Sequence, residues 1–522
     1  MIQTSEAYAP FAQVRQVDCL ISFEVLAKTL NKKAIAVTAS PARVGSGPLT
    51  INGIPELATK YGTLERYGWP LDGSCDILPS SGAETGYWSS AVSDDAGGFS
   101  SPVTFRYELP SDTATFGWTF HFDAPAGVIA SRVRAVCYDA GGDVLDTSEF
   151  TPENAGENGS GWSFHHYVHD YRAVEFTFYG TNLPRRMLRL AEVDFGVSKH
   201  FDRDSIKSAR IKYGMTPDAS AFPAKEIVFT FDNSDGDFNV LNPIGVYQYW
   251  RNGQVLTARI KVGDEIVPMG LFYVTKAEIG ENRLLAKVTA HDPCYQLGNQ
   301  KFYPMELAES ETVRLDEAVP RALIGSDLAV DYGGLGAEPV SVAVRDTHDK
   351  RVILRYLAQA VRAAVWIDRD NVLRFRRIST AEEEDGSITA DELYNWSGVS
   401  IAEEFTGVTL TVARELQKDA DGNDVTETYR SGVLDSEGTH TATYENPCVA
   451  AVSGQAVADW LLVTANRRKK YAVKNRCDPA VEIGDTLVIA DAFHNDDRAV
   501  VTGLDIEFDG GLSCVTEADR EF

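Results

Sequence analysis

His165, His166, His169 and Asp170 form the densest group of potential transition-metal ligands in this sequence. Imidazoles four residues apart would share one face of a helix and could converge on a zinc ion. The stretch lies between glycine-rich sequence and a strand-like segment, so it reads as histidines in a loop, at or near the surface. Two acidic loops invite a calcium reading, which needs oxygen ligands at positions one, three and five, glycine at six and glutamate at twelve. With Gly236 of FDNSDGDF at six, Phe231 falls at one and Asn242 at twelve; with Gly422 of KDADGND at six, Gln417 falls at one. Both fail the ligand pattern and read as tight turns. No metal and no cofactor is expected.

Other chemistry is equally sparse. No Walker loop, GxGxxG, HExxH or GxSxG pattern occurs. Carboxylate pairs for glycoside hydrolysis are set in space, and 76 acidic residues bring many together by chance. Nothing in the pattern argues for an enzyme. Aromatic faces stack on the apolar faces of sugar rings, which makes Tyr87, Trp88 and Trp162, with Asp170 and Arg172, candidates for a glycan site. The competing reading is that these tryptophans are core. The strongest basic run is RRKKYAVKNR (467–476). It follows a predicted helix whose C-terminal end favours cations; an interface with an acidic neighbour is the alternative.

The elements that must position these residues are mostly strands. VDCLISFEV, KAIAVTA, TFRYEL, GWTFHFDA, AVEFTFYG, EIVFTFDN, LTARIKVG, GLFYVTKAEI, LLAKVTA, TLVIADA and AVVTGLDIEF are rich in β-branched and aromatic residues, and Gly, Asn, Asp or Pro clusters separate many of them. One helix is predicted from Lys350 to Ala364, with Leu354, Leu357, Ala358 and Val361 on one face and Thr347 or Asp349 as cap. A second is predicted over Ser453 to Arg468. Between 301 and 380 the pattern is mixed α/β and ends in the hairpin WIDRDNVLRFRRI, turning at Arg369 to Asn371. AEEED (381–385) reads as an exposed linker. Another hairpin crosses KDADGND.

Residues 41–199 hold Trp69, Trp88, Trp118 and Trp162, half of the eight tryptophans, among many Gly and Ser turns. A compact β-sandwich fits, with GYWSS, GWTFHF and VEFTFYG as core strands or their ends. It reads as an insertion into another β domain, since plainer strands flank it. The expected domains are thus 1–40 with 200–300, the inserted 41–199, a mixed region 301–380, and a C-terminal β domain 381–522.

A chain of 522 residues exceeds one ordinary core. Seven scattered cysteines, never in a CxxC pair, suit reduced, mostly buried thiols. No apolar stretch is long enough to cross a bilayer, and MIQTSEAYAPFAQVRQ lacks the regions of a signal peptide, so folding in a cytoplasm is expected. The net charge of −27 is opposite to what phosphate binding requires. An acidic wall past which DNA slides without sticking is compatible with it, as is a merely soluble surface.

The order of segments resembles one family. EIVFTFDNSDGDFNVLNPIGVYQYWRNGQVLTARIKVGDEIVPMGLFYVTKAEIGENRLLAKVTAHDPCYQLGN is similar to the first domain of bacteriophage tail hub proteins. The matching positions are Phe231, Asn233, Asp235, Gly236, Phe238, Gly253, Gly270, Phe272, Tyr273, Val274, Ala290 and Asp292. RVILRYLAQAVRAAVWIDRDNVLRF resembles the family's helix and hairpin. NRCDPAVEIGDTLVIAD with VVTGLDIEFDGGLSCVTEA resembles its closing barrel, where a DP-x-x-E-x-GD loop precedes a strand pair. The inserted block resembles discoidin-like jelly rolls of tail proteins from phages of Gram-positive hosts.

This resemblance implies a mainly β chain of tandem hub barrels with an inserted jelly roll and a few short helices. It also implies a homotrimer forming a pseudo-sixfold ring at the virion tail tip. The ring would contact a distal tail protein, the tape-measure protein and tip fibres or receptor-binding proteins, with DNA in transit only. Because the chain stops near where the barrel closes, host binding would fall to the insertion or to another protein. Two further readings stand beside it: a lectin-like adhesion protein binding host-surface glycan through 41–199, and a tail-associated glycosidase.

Overall fold

The computed structural model describes residues 17–26, 35–44, 86–122, 127–153, 161–234, 253–263, 265–279, 284–302, 312–326, 328–342, 348–379, 384–396, 398–418, 424–434, 440–491 and 497–521, with isolated residues between them. The chain divides into two compact units. One comprises Met1–Ser22, His200–Phe238 and Arg251–Phe522; the other comprises Phe23–Lys199 and Asn239–Trp250. The expected mainly β class with a barrel, a sandwich and few short helices is what the chain adopts.

In the Phe23–Lys199 unit two short strands, Ala36–Ala39 and Ala42–Val44, precede β1 (Tyr87–Val92), β2 (Gly98–Phe122), β3 (Val133–Tyr138), β4 (Val144–Phe150), β5 (Trp162–Gly180) and β6 (Met187–Phe201). The two longest, β2 and β5, run antiparallel through both sheets of a sandwich. Their outer parts pair from Gly98 opposite Gly180 to Glu108 opposite Ala173, inside the order β4–β3–β5–β2. Their inner parts pair from Thr113 opposite Tyr171 to Phe120 opposite Trp162, and β6 and β1 continue that sheet. Register breaks between Glu108 and Gly117, with Asp170 at φ 56°, let both strands bend from one sheet into the other. At Gly117 (φ 139°) a Cβ would lie 1.7 Å from the Phe164 carbonyl oxygen, so only glycine fits that bend.

Alternation along β2 and β5 sends Phe105, Tyr107, Trp118, Phe120, Val174, Phe176 and Phe178 into one core. The rings meet edge to face: Tyr87–Phe105 at 4.7 Å, Trp118–Phe176 at 5.2 Å and Phe120–Phe176 at 5.1 Å. Such pairs add about 1 kcal/mol each beyond the area they bury. GYWSS, GWTFHF and VEFTFYG supply this core, as their composition suggests.

The larger unit is built on β7 (Ile206–Gly214), β8 (Glu226–Asp232), β9 (Val255–Val262), β10 (Glu265–Ile279) and β11 (Leu285–His291). They pair antiparallel in the order β9–β10–β11–β8–β7. Helices α1 (Pro293–Asn299), α2 (Leu315–Ala322) and α3 (Lys350–Ala360) lead to the hairpin β12 (Ala364–Ile367) and β13 (Val372–Arg376). Next come the edge strand β14 (Gly398–Ile401), a three-stranded sheet of β15 (Gly407–Lys418), β16 (Asp424–Gly432) and β17 (Thr441–Glu445), and α4 (Gly454–Ala465). The chain closes with β18 (Lys469–Asn475), β19 (Thr486–Ile489), β20 (Asp497–Phe508) and β21 (Leu512–Arg520). Pairing of β7 with β20 joins the early and late strands into one nearly closed barrel sheet, which continues β20–β21–β18–β14. A second apolar core gathers α2, α3, α4, the β12–β13 hairpin and β15.

Both predicted helices stop early, for local reasons. Arg362 takes φ 62°, and the N–H groups of Arg362 and Ala363 bond back to Gln359 and Ala358, a Schellman ending for α3. Asp349 holds the N-cap position of α3 without a side-chain cap bond; its carboxylate takes Lys301 at 2.5 Å. Thr347 lies outside the described residues. The end of α4 is held by Asn466, whose side chain bonds Leu462 and both backbone groups of Phe405. Of the expected linker, residues 381–383 lie outside the described residues. Asp385 is not free: it exchanges bonds with Thr486, and Glu384 meets Arg498 at 3.2 Å.

Candidate functional site

The structure does not gather the five predicted glycan residues. Tyr87 is fully buried, its hydroxyl donating to the carbonyls of Ser40 and Pro41 at 3.2 and 3.3 Å, and burial pushes its phenol up to about 12. Trp88 is buried under the Arg189 guanidinium, 4.5 Å from the ring centroid. Trp162 is half-buried, stacked 5.4 Å from Phe150. Asp170 and Arg172 lie at the bend of β5, roughly 25 Å further along the strand. There Asp170 faces His169 at 2.9 Å and Arg172 faces Asp112 at 3.4 Å.

The histidine group stands on β5 rather than on a helix or a loop, so successive side chains point to opposite faces. His166 pairs with Asp146 at 2.8 Å and stacks on Phe164, while exposed His169 leans toward Tyr167. No group of three or more His, Cys, Asp or Glu among the described residues is arranged to hold a metal. The five cysteines described here (Cys137, Cys294, Cys448, Cys477, Cys514) are buried and unbridged, as their spacing suggests.

The basic run 467–476 follows the end of α4 at Ala465, as expected, and continues into β18 (Lys469–Asn475); several of its charges are met by the same unit's own carboxylates. Buried Arg467 meets buried Asp519 at 2.7 Å, Arg468 meets Glu404 at 3.1 Å, and Lys470 meets Asp519 at 2.8 Å. Lys469, Tyr471 and Arg520 converge on Asp497. Pairing of β18 with β21 brings Asp519 to Arg467 and Lys470, partners that the sequence did not indicate.

The most elaborate polar arrangement in the larger unit was not predicted. Arg369, at the β12–β13 turn, is buried and donates to Tyr213 Oη at 2.8 Å, to Val481 O at 2.5 Å and to Pro479 O, with Glu482 at 3.1 Å. Beside it, buried Lys225 donates to the Asp368 carbonyl at 3.2 Å, its ammonium 4.8 Å from the Tyr213 ring centroid. Desolvation drives the Lys225 amine down and, acting on Asp292, pushes that carboxyl up to about 7. Asp292 caps α1 by accepting from Cys294 N at 3.1 Å. One cationic turn thereby ties β7, the 478–485 loop and the hairpin together. The sequence signalled Glu482 and Asp292 through motif position, but Arg369 and Asp368 look like an ordinary polar turn.

Outside this joint opens a cleft of about 920 Å³, lined in part by Asp331, Trp366, Asp370, Arg374, Arg376 and Asp485. Its polar groups are largely paired: Arg374 bonds Asp368 at 2.7 Å and also reaches Asp331, and Asp368 Oδ1 accepts two N–H groups of its own turn at 2.9 Å. The lining contains no histidine, serine, cysteine or lysine. Its titratable lining consists of arginines and carboxylates, among them Asp331, Asp370, Asp385, Glu482 and Asp485, and burial pushes the Asp485 carboxyl up.

The motif residues of the early strands also serve the scaffold. Asn233 Oδ1 accepts from Phe238 N at 3.0 Å and its carbonyl accepts from Gly236 at 2.9 Å, folding the Phe238 ring onto Phe231 at 4.8 Å. Asp235 lies outside the described residues.

No protein-family model matches this chain, and no curated protein matches it. Solved structures that it is similar to include the 43 kDa tail protein of prophage MuSo2 from Shewanella oneidensis (14% identity, 62% of this chain and 96% of that one, TM-score 0.42). They also include the tail protein from Neisseria meningitidis MC58 (10%, 62% and 93%, TM-score 0.42). A third is prophage tail protein gp18 from Listeria monocytogenes EGD-e (9%, 62% and 92%, TM-score 0.40).

Proposed function

We propose that this chain is a structural protein of a bacteriophage tail, the hub at the tail tip. It would form a threefold ring that closes the tail tube and joins it to distal tail, tape-measure and tip-fibre proteins while letting DNA pass. The observation that carries this reading is the use of the hub-like motifs. Asn233 builds a turn, Asp292 caps a helix and Glu482 anchors Arg369, each bracing the barrel sheet. A net charge of −27 suits a passage along which DNA must not stick.

The test is the mass of the purified full chain by light scattering, with negative-stain images of the same fraction. A threefold ring with a central hole is expected. A monodisperse monomer without rings at high concentration overturns the proposal.

A further inference from the structure

Two of the buried cysteines meet where the barrel sheet closes. Cys514 lies on β21, opposite Asn475, the last residue of β18. Cys477 follows two residues later at φ 61°, in a left-handed turn just past the end of that ladder. The two thiols hydrogen-bond each other, and both are buried. Thr516 Oγ1 lies 3.6 Å from the Cys514 sulfur, and the buried Arg369 guanidinium is close enough to act on both thiols. Their protons are held unequally. Burial by itself would raise the Cys514 thiol, but hydrogen bonds from Cys477, Thr516 and the Asp505 N–H, with the Arg369 charge, bring it below the ordinary value. The Cys477 thiol, bonded to Cys514 and buried, is pushed well up. In the remaining cores burial drives Cys137 up to about 12 and Cys294 well above an ordinary thiol, which makes both poor nucleophiles.

We propose that Cys477 and Cys514 form a redox modification site, which hydrogen peroxide closes into an intramolecular disulfide. Cys514 is the nucleophile. Its thiolate attacks one peroxide oxygen, the O–O bond breaks, and the departing hydroxide takes up the thiol's proton and leaves as water. The Cys477 sulfur then attacks the resulting Cys514 sulfenic acid, whose oxygen leaves with the Cys477 proton as a second water. Two thiols are oxidised and one peroxide is reduced. The oxidant is little larger than water and reaches a buried pair by local opening. The bond ties the Cys477 turn to β21 and closes a loop that carries β19, β20 and the 478–485 segment. That segment supplies the Pro479 and Val481 carbonyls that hold Arg369, so the link locks the same joint. A reducing cytoplasm keeps the pair open, and an oxidising medium outside the cell closes it.

This site does not rest on the ring, because the chemistry needs only one folded chain. The reduced full chain is treated with dilute hydrogen peroxide under native conditions, blocked with N-ethylmaleimide in denaturant, digested and analysed by mass. A peptide pair joined through Cys477 and Cys514, two hydrogens lighter than the reduced pair and split by dithiothreitol, is expected. In Cys477→Ala, dimedone should label Cys514 as its sulfenic acid; in Cys514→Ala, it should leave Cys477 unlabelled. Recovery of both cysteines as maleimide adducts overturns the proposal. So does a mixture of pairings like that from the chain oxidised in urea. Dimedone on Cys477 in Cys514→Ala overturns the assignment of the nucleophile. The linked chain should also unfold at a higher urea concentration, and dithiothreitol should remove the increment. A linked chain with an unchanged midpoint overturns the role of the bond as a lock.

Discussion

The guanidinium of Arg369 lies 3.1 Å from the carboxylate of Glu482, with the arginine side chain 1% exposed and the glutamate 13%. The two are separated by more than a hundred residues, and their meeting fixes a hairpin turn against the barrel. Arg369→Ala would leave Glu482 and two carbonyls in low dielectric without their donor. A loss of about 3–5 kcal/mol is expected, read by urea unfolding of the full chain. A loss below about 1 kcal/mol would show that the joint is dispensable.

Asp292 makes stability depend on pH. Burial raises its carboxyl from the ordinary 3.8 to about 7, so the fold favours the protonated form. Its contribution is fully present below about pH 4 and is lost as pH rises through about 7. Asp292→Asn keeps an acceptor for the α1 cap and removes the titration. Relative to that variant, the native chain should lose on the order of 3 kcal/mol between those limits. Parallel curves for the two proteins would refute this.

Trp88 is buried beneath Arg189, on the face of β1 opposite to core residue Tyr87, so Trp88→Ala should destabilise the Phe23–Lys199 unit by about 3 kcal/mol. Tyr167→Ala, at a 44% exposed position on β5, should cost less than about 1 kcal/mol. Thermal unfolding followed by near-ultraviolet dichroism compares the two. Equal effects would mean that Trp88 is not a buried support of the unit.

The basic strand separates buried from exposed charge. Arg467→Ala strips buried Asp519 of a partner and should cost about 3–5 kcal/mol, whereas exposed Lys474→Ala should stay within about 0.5 kcal/mol. Chemical denaturation at fixed salt measures both, and the order of the two losses is the result that matters.

Asn233→Ala removes the acceptor for Phe238 N and should cost about 1–2 kcal/mol. Faster amide exchange at Phe238 should accompany it. Unchanged exchange there would assign the turn to backbone bonds alone.

Much of the fold could be read from local pattern. EIVFTFD alternates, and in β8 Ile227, Val228, Phe229, Thr230 and Phe231 are buried or half-buried by turns. The hairpin at Arg369–Asn371 was legible because Asn371 accepts a positive φ. Periods of two and of 3.6 follow from backbone geometry, which each segment carries by itself. Tertiary structure alone decided the rest. That β7 pairs with β20, that 467–476 meets Asp497 and Asp519, and that Arg369 turns inward to Glu482 depend on which surfaces the chain brings together. A buried cation and a solvated one are the same letter in sequence, and only the desolvation and the partner it finds tell them apart.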